Sequence, residues 1–239
     1  PRRGPVMRPE ITEASAVLAL EAALSGPIEL GSVGGGTGMN CYQFKGGSGS
    51  ASRIVEYGGT TYIVGVFLQT NFGARPELQI AGVPFGVLLA DDNPMDEAFS
   101  APPGAGSCIA VVLTDAPLLP DQCDALARRV TLGLARTGTG GSHFSGDLFL
   151  AESVGNPGSI TPGFETLLNP GSAGRLDVLQ FIPWGFMDPF YTAVVEATEE
   201  AVVDSMVVNE EVTGFRGHRT PGLPRDRVIA ELQRRGVVA

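Results

Sequence analysis

The sequence predicts a layered α/β protein built on a mixed or antiparallel sheet rather than a doubly wound one. Three observations carry this. Residues 52–57 and 60–70 are runs rich in β-branched residues that meet at Gly58-Gly59, a hairpin pattern. The segment SCIAVVLT (107–114) is a strand-sized apolar run followed by helical periodicity, and Asp147 to Val154 gives a further strand. Strands and helices therefore alternate, but imperfectly, with hairpins as well as crossovers.

Taken in order, EITEASAVLALEAALS (10–25) reads as a helix stopped by Gly26-Pro27. The hairpin follows, and VPFGVLLA (83–90) reads as another strand. Residues 91–106 are acidic, then rich in Pro and Gly, and read as an exposed, mobile segment without periodicity. After the strand at 107–114, Asp115-Ala116-Pro117 opens a helix to about Val130. A Gly/Pro/Ser-rich stretch covers 155–174, Asp188-Pro189 caps a long helix over 189–210, and a last helix spans 224–235.

Hydrophobic residues make up 43% of the 239 positions, too many for a disordered tail and enough for a buried core. The net charge of −10 repels phosphate backbones and anionic lipid, so neither nucleic acid nor membrane is expected as a partner. No apolar run approaches the roughly 20 residues of a spanning helix. Three cysteines without CxxC spacing and two histidines support neither a disulfide scaffold nor a metal site. Reducing surroundings, and hence a cytoplasmic location, are the default expectation; because the chain opens on Pro1, a periplasmic one stays open.

The 33 glycines are clustered: GSVGGGTGM (31–39), FKGGSGSAS (44–52), GAG (104–106) and GTGGSHFSGD (138–147). The first lacks the Gly-Lys-Ser/Thr ending of a phosphate-binding loop and does not fit the dinucleotide pattern, so no cofactor is expected. No G-x-S-x-G elbow occurs. His143, among Ser142, Ser145 and Asp147, is the more suggestive of the two histidines for a triad; His218 lies in a polar loop. At Gly106-Ser107 a flexible segment delivers a hydroxyl nucleophile to the start of a strand. If that bond is cut, Ser107 carries a nucleophile together with an α-amine whose reference pKa is about 7.7–8.0, and such an amine is a usable base. The competing reading is an ordinary strand start.

These segments carry a resemblance. GSVGGGTGMNCYQFKGGSGSASR, QTNFG, GSCIAVVLTDAPLLPDQCDALARR and GLARTGTGGSHFSGDLFLA, in this order, resemble the DmpA/BapA family of L-aminopeptidase/D-esterases and β-peptidyl aminopeptidases. The closing stretch MDPFYTAVVEATEEAVVDSMVVNEEVTGFRGH, followed by LPRDRV, is similar as well. The resemblance implies a four-layer αββα sandwich, like that of the N-terminal nucleophile hydrolases but differently connected. It also implies self-cleavage at Gly106-Ser107 within a single domain spanning 1–239, giving portions 1–106 and 107–239 that stay together. On the same grounds Ser107 is the nucleophile, Ser145 and Asp147 its neighbours, Asn71 the oxyanion donor, and His143 no base. The implied substrates are small peptides or amino-acid amides and esters, and the implied assembly is a homo-oligomer, a tetramer of processed pairs. Family members carry over a hundred further residues before the 10–25 helix; that part, with a tyrosine and an acidic residue of the pocket, has no counterpart in this sequence. A non-catalytic homologue or fragment that keeps the fold is the alternative reading.

Overall fold

The computed structural model describes residues 12–94, 106–159 and 176–238. Helix α1 (Glu13–Glu21) is capped by Thr12, whose hydroxyl accepts from the Ser15 amide, and buries none of its residues. The paired strands β1 (Asn40–Cys41) and β2 (Phe44–Lys45) lead into the main hairpin, β3 (Ser48–Tyr57) and β4 (Thr60–Asn71). Gly58 and Gly59 turn it with φ of +59° and +78°, a left-handed pair that glycine adopts without strain. Then come α2 (Phe85–Leu88), β5 (Ser107–Thr114), α3 (Pro120–Arg136), β6 (Leu148–Ser153), α4 (Asp188–Val207), the short pair β7 (Val212–Thr213) and β8 (Arg219–Thr220), and α5 (Arg225–Arg234).

The sheet runs in the order β3-β4-β5-β6; its first two pairings are antiparallel and β5-β6 is parallel. It is mixed, as expected, because a two-glycine turn permits only an antiparallel neighbour whereas the α3 crossover returns the chain in parallel. Helix α4 lies along β3 and β4, and α3 along β6 and against α4. Strand alternation aims Val64, Val66, Leu68, Cys108, Ala110 and Val112 at these helices, where they meet Leu126, Val130, Phe190, Val194 and Val202, all buried. The other face of the sheet carries Ile54, Ile63, Ile109, Leu113, Leu148 and Leu150, which are 48–71% exposed. Within the described residues the arrangement is one helix layer on one sheet.

Three local expectations need correction. Residues 83–90 form no strand. Phe85 is buried, and the chain turns helical so closely on Arg75 that a Cβ on Gly86 would stand 1.8 Å from the Arg75 carbonyl oxygen. The helix after β5 starts at Pro120 and runs to Arg136, because Asp115 accepts the Ile63 amide (2.7 Å) and Gln122 accepts that of Leu119 (3.0 Å). Asp188 is the first residue of α4 and not its cap. The acidic start of the 91–106 segment is held in place: the Asp92 carbonyl accepts from Arg75, and the Asp91 and Asp92 side chains pair with Arg227 and Arg219. Residues 95–105 and 160–175 lie outside the described residues.

Candidate active site

The last residue of β4 and the first of β5 face each other: Asn71 and Ser107 are direct cross-strand partners. Alternation sends Thr70 and Cys108 into the core and leaves Asn71 and Ser107 on the sheet face that the helices do not cover. Gly106, just before Ser107, has a φ of +153°, and a Cβ there would stand 1.8 Å from the Asn71 carbonyl oxygen. Only glycine lets the chain enter β5 this close to β4.

The loop ahead of β6 closes over the same point. Gly106 bridges to Ser145 in parallel register, and the Gly146 amide donates to Ser107 Oγ at 3.0 Å. Ser107 Oγ in turn donates to its own preceding carbonyl, Gly106 O, at 2.7 Å. Asp147 Oδ1 accepts twice, from Ser145 Oγ at 2.6 Å and from the Cys108 amide at 2.8 Å. The Ser107 hydroxyl with the Gly106 carbonyl, and the Ser145–Asp147 pair with the Cys108 amide, thus form two adjacent hydrogen-bonded groups, and Gly146, between Ser145 and Asp147, donates to the first. Asn71 is oriented from behind, since its Oδ1 accepts the Asn40 amide at 3.2 Å and the Nδ2 donor is the end turned away from that contact.

Burial pushes the Cys108 thiol, next to Ser107, well above the usual range, and pushes Cys41 up to about 12. Both thiols stay protonated near neutral pH. His143 is exposed with its ring against Phe144, and His218 lies between β7 and β8. Among the described residues no group of three or more His, Cys, Asp or Glu side chains is placed to hold a metal ion.

Sequence reading missed the two main-chain amides, Gly146 and Asn40, because a backbone donor leaves no residue-type signal. It also missed Tyr42. This buried residue has φ of +50°, and its hydroxyl bonds to Thr137 Oγ1 (2.7 Å) and accepts the Thr139 amide (3.2 Å). Tyr42 thereby moors the base of the loop that carries Ser145 and Asp147, while its own amide donates to Phe72 O, one residue beyond Asn71.

A serine at the head of an inner strand thus has an asparagine opposite and a hydroxyl–carboxylate pair at its side, an arrangement of the residue types that serine hydrolases use. Peptidase family S58 matches residues 6–220, and the chain belongs to that family. It is 39% identical over 228 residues to the β-peptidyl aminopeptidase BapA of Sphingosinicella microcystinivorans, covering 92% of this chain and 55% of that protein. The BapA of Sphingosinicella xenopeptidilytica is 37% identical over 226 residues, covering 91% and 54%. The structure is similar to the L-aminopeptidase D-Ala-esterase/amidase of Ochrobactrum anthropi, a serine aminopeptidase with a variant Ntn hydrolase fold: TM-score 0.81, 38% identity, 96% of this chain and 59% of that one. It is also similar to a Burkholderia β-aminopeptidase, with TM-score 0.75, 38% identity and coverage of 94% and 59%. The chain spans little more than half the length of these relatives.

Proposed function

We propose that the protein is a self-processing aminopeptidase or amidase whose nucleophile is Ser107, freed as a new N-terminus by cleavage of Gly106-Ser107. The observation that carries this reading is the placement of Ser107 Oγ, 2.7 Å from the oxygen of the bond to be cut and supported by the Gly146 amide. In processing, Oγ attacks the Gly106 carbonyl carbon, the C–N bond breaks and the proton passes to the leaving nitrogen. Water then hydrolyses the resulting ester and leaves Ser107 with a free α-amine. In turnover Oγ attacks an amide or ester carbonyl, and the α-amine, assisted by Ser145 and Asp147, takes the proton and returns it to the leaving group. The Nδ2 of Asn71 meets the developing oxyanion.

The substrates are small peptides, amides or esters with a free amino end, by likeness to the aminopeptidases this chain matches. Ser107 and Asn71 stand on the apolar sheet face that no helix covers among the described residues, which supports a pocket whose opposite wall is a second layer. The assembly is a homo-oligomer of processed pairs, and the location cytoplasmic. Protein expressed from its complete gene should yield a fragment beginning Ser-Cys-Ile-Ala-Val and hydrolyse amino-acid amides, and Ser107→Ala should abolish both. Turnover that survives Ser107→Ala would sink the mechanism. A single uncleaved, inactive chain after long incubation would favour the non-catalytic reading.

A further inference from the structure

Lys45 is the only lysine among the 239 residues, beside fifteen arginines, and it is 2% exposed. A buried ammonium is costly unless all its donors are used. Here Nζ donates to three main-chain carbonyls, Gly36 O at 3.1 Å, Met39 O at 2.7 Å and Gly46 O at 2.5 Å. The Met39 carbonyl belongs to the same peptide unit as the Asn40 amide, and that amide holds Asn71 Oδ1. One planar peptide therefore joins the ammonium to the side chain of the oxyanion donor.

We propose that Lys45 is a positioning residue for Asn71: by binding the Met39 carbonyl, its ammonium fixes and polarises the Met39–Asn40 peptide, whose N–H holds the Asn71 amide with Nδ2 facing the reacting carbonyl. This rests on the role of Asn71 proposed above. Linked hydrogen bonds polarise one another, so a charge at the head of this chain strengthens the donor at its end. Arginine would not serve, because its planar fork cannot gather three carbonyls around one point.

The ammonium is also titratable. Burial lowers Lys45 to about 8 with no charged neighbour contributing. Among the described residues, the titratable groups on the elements around it are few. Cys41 on the facing strand stays neutral, and the turn Gly34–Gly38 carries none. Arg219 and Arg225 flank Pro221, whose carbonyl accepts the Lys45 amide, and they pair with Asp92, Glu211 and Glu210. Asp204 and Glu200 stand on α4, and Asn209, two residues past its end, shares the Gly46 carbonyl. Lys45 thus loses its charge as pH rises through about 8, whereas the α-amine of Ser107 must lose its own to act as base. The two titrations oppose, and kcat follows a bell with Lys45 as its alkaline limb.

The test is the pH profile of kcat at saturating amino-acid amide, with protein from the complete gene, for wild type, Lys45→Met and Asn71→Ala. Lys45→Met should lower kcat about tenfold near pH 7.5, less than the loss of the donor itself, and should flatten the alkaline limb. The midpoint of that limb in wild type should match the Lys45 titration followed by NMR of 13C-labelled lysine, a comparison that stands even where Lys45→Met fails to fold. An alkaline limb unchanged in a folded Lys45→Met, or midpoints differing by more than about one unit, overturns the inference. A wild type without turnover, or Asn71→Ala with full kcat, overturns the proposed function and this inference with it.

Discussion

Asn71 and Gly106 make opposite demands at one point of the sheet. In the proposed mechanism the Asn71 amide is oriented by Asn40, which holds its oxygen, and the bond before Ser107 can lie beside the Asn71 main chain only while residue 106 has no side chain. Asn71→Ala is expected to lower kcat by about 10²–10³, or roughly 3–4 kcal/mol of barrier, with KM little changed; steady-state kinetics on an amide substrate measure this. Gly106→Ala forces a methyl group into the Asn71 carbonyl, so the chain entering β5 must shift and Ser107 Oγ leaves the scissile carbonyl. Cleavage followed on denaturing gels should slow by at least tenfold or stop. The family resemblance picks out Ser107, Ser145, Asp147 and Asn71 in motifs with recognisable spacing, and the fold brings the four to one end of the sheet. The Gly146 and Asn40 amides leave no residue-type signal, and Lys45, though inside the 31–53 segment, drew no functional reading there; its standing alone among fifteen arginines is a further signal for it.

Among the elements, the hairpin, β5, β6 and the two closing helices follow from hydrophobic period and turn chemistry, and the sequence placed them with shifts at their ends. The segment 83–90 misled because its apolar run reflects burial of Phe85 under a tight turn against Arg75, and period alone does not separate a short buried helix from a strand. The start of α3 slid because Asp115 serves the neighbouring strand instead of a cap. Cys41 at the end of β1, Tyr42 just after it and Cys108 on β5 are buried too, all with proton affinities raised above their ordinary values. The unfolded chain ionises these groups first, so stability they contribute below about pH 9 is lost as pH rises towards 12. Lys45, lowered to about 8, acts in the opposite sense between about 8 and its ordinary value, but it is one group against three. Urea midpoints should therefore fall between pH 8.5 and about 10.5, and Cys108→Ala should flatten that fall.

At the scale of the whole molecule, cleavage at Gly106-Ser107 would leave two pieces with one core. Strands β4 and β5 pair along their length across the cut. Polar contacts cross it too, the buried ones of Thr70 with Ser205 and of Asn209 with Gly46, and the part-buried one of Asn209 with Ser32. The exposed ion pairs Asp92–Arg219 and Asp91–Arg227 also join the pieces, but such pairs contribute little, about 0–1 kcal/mol each. The processed fragments should consequently co-elute in gel filtration at about 1 M salt, where exposed pairs are screened, and part only in denaturant; separation by salt alone would show that the core does not span the cut. That the sheet face carrying Asn71 and Ser107 has no helix over it among the described residues was not legible, since alternation tells that a strand has two faces but not what lies over each.

The most direct test of the account is the identity of the N-termini in active protein expressed from its complete gene, read by N-terminal sequencing and intact mass. The account predicts a fragment beginning at Ser107 that accumulates in step with amidase activity. Full activity in a chain whose Gly106-Ser107 bond remains intact would contradict it.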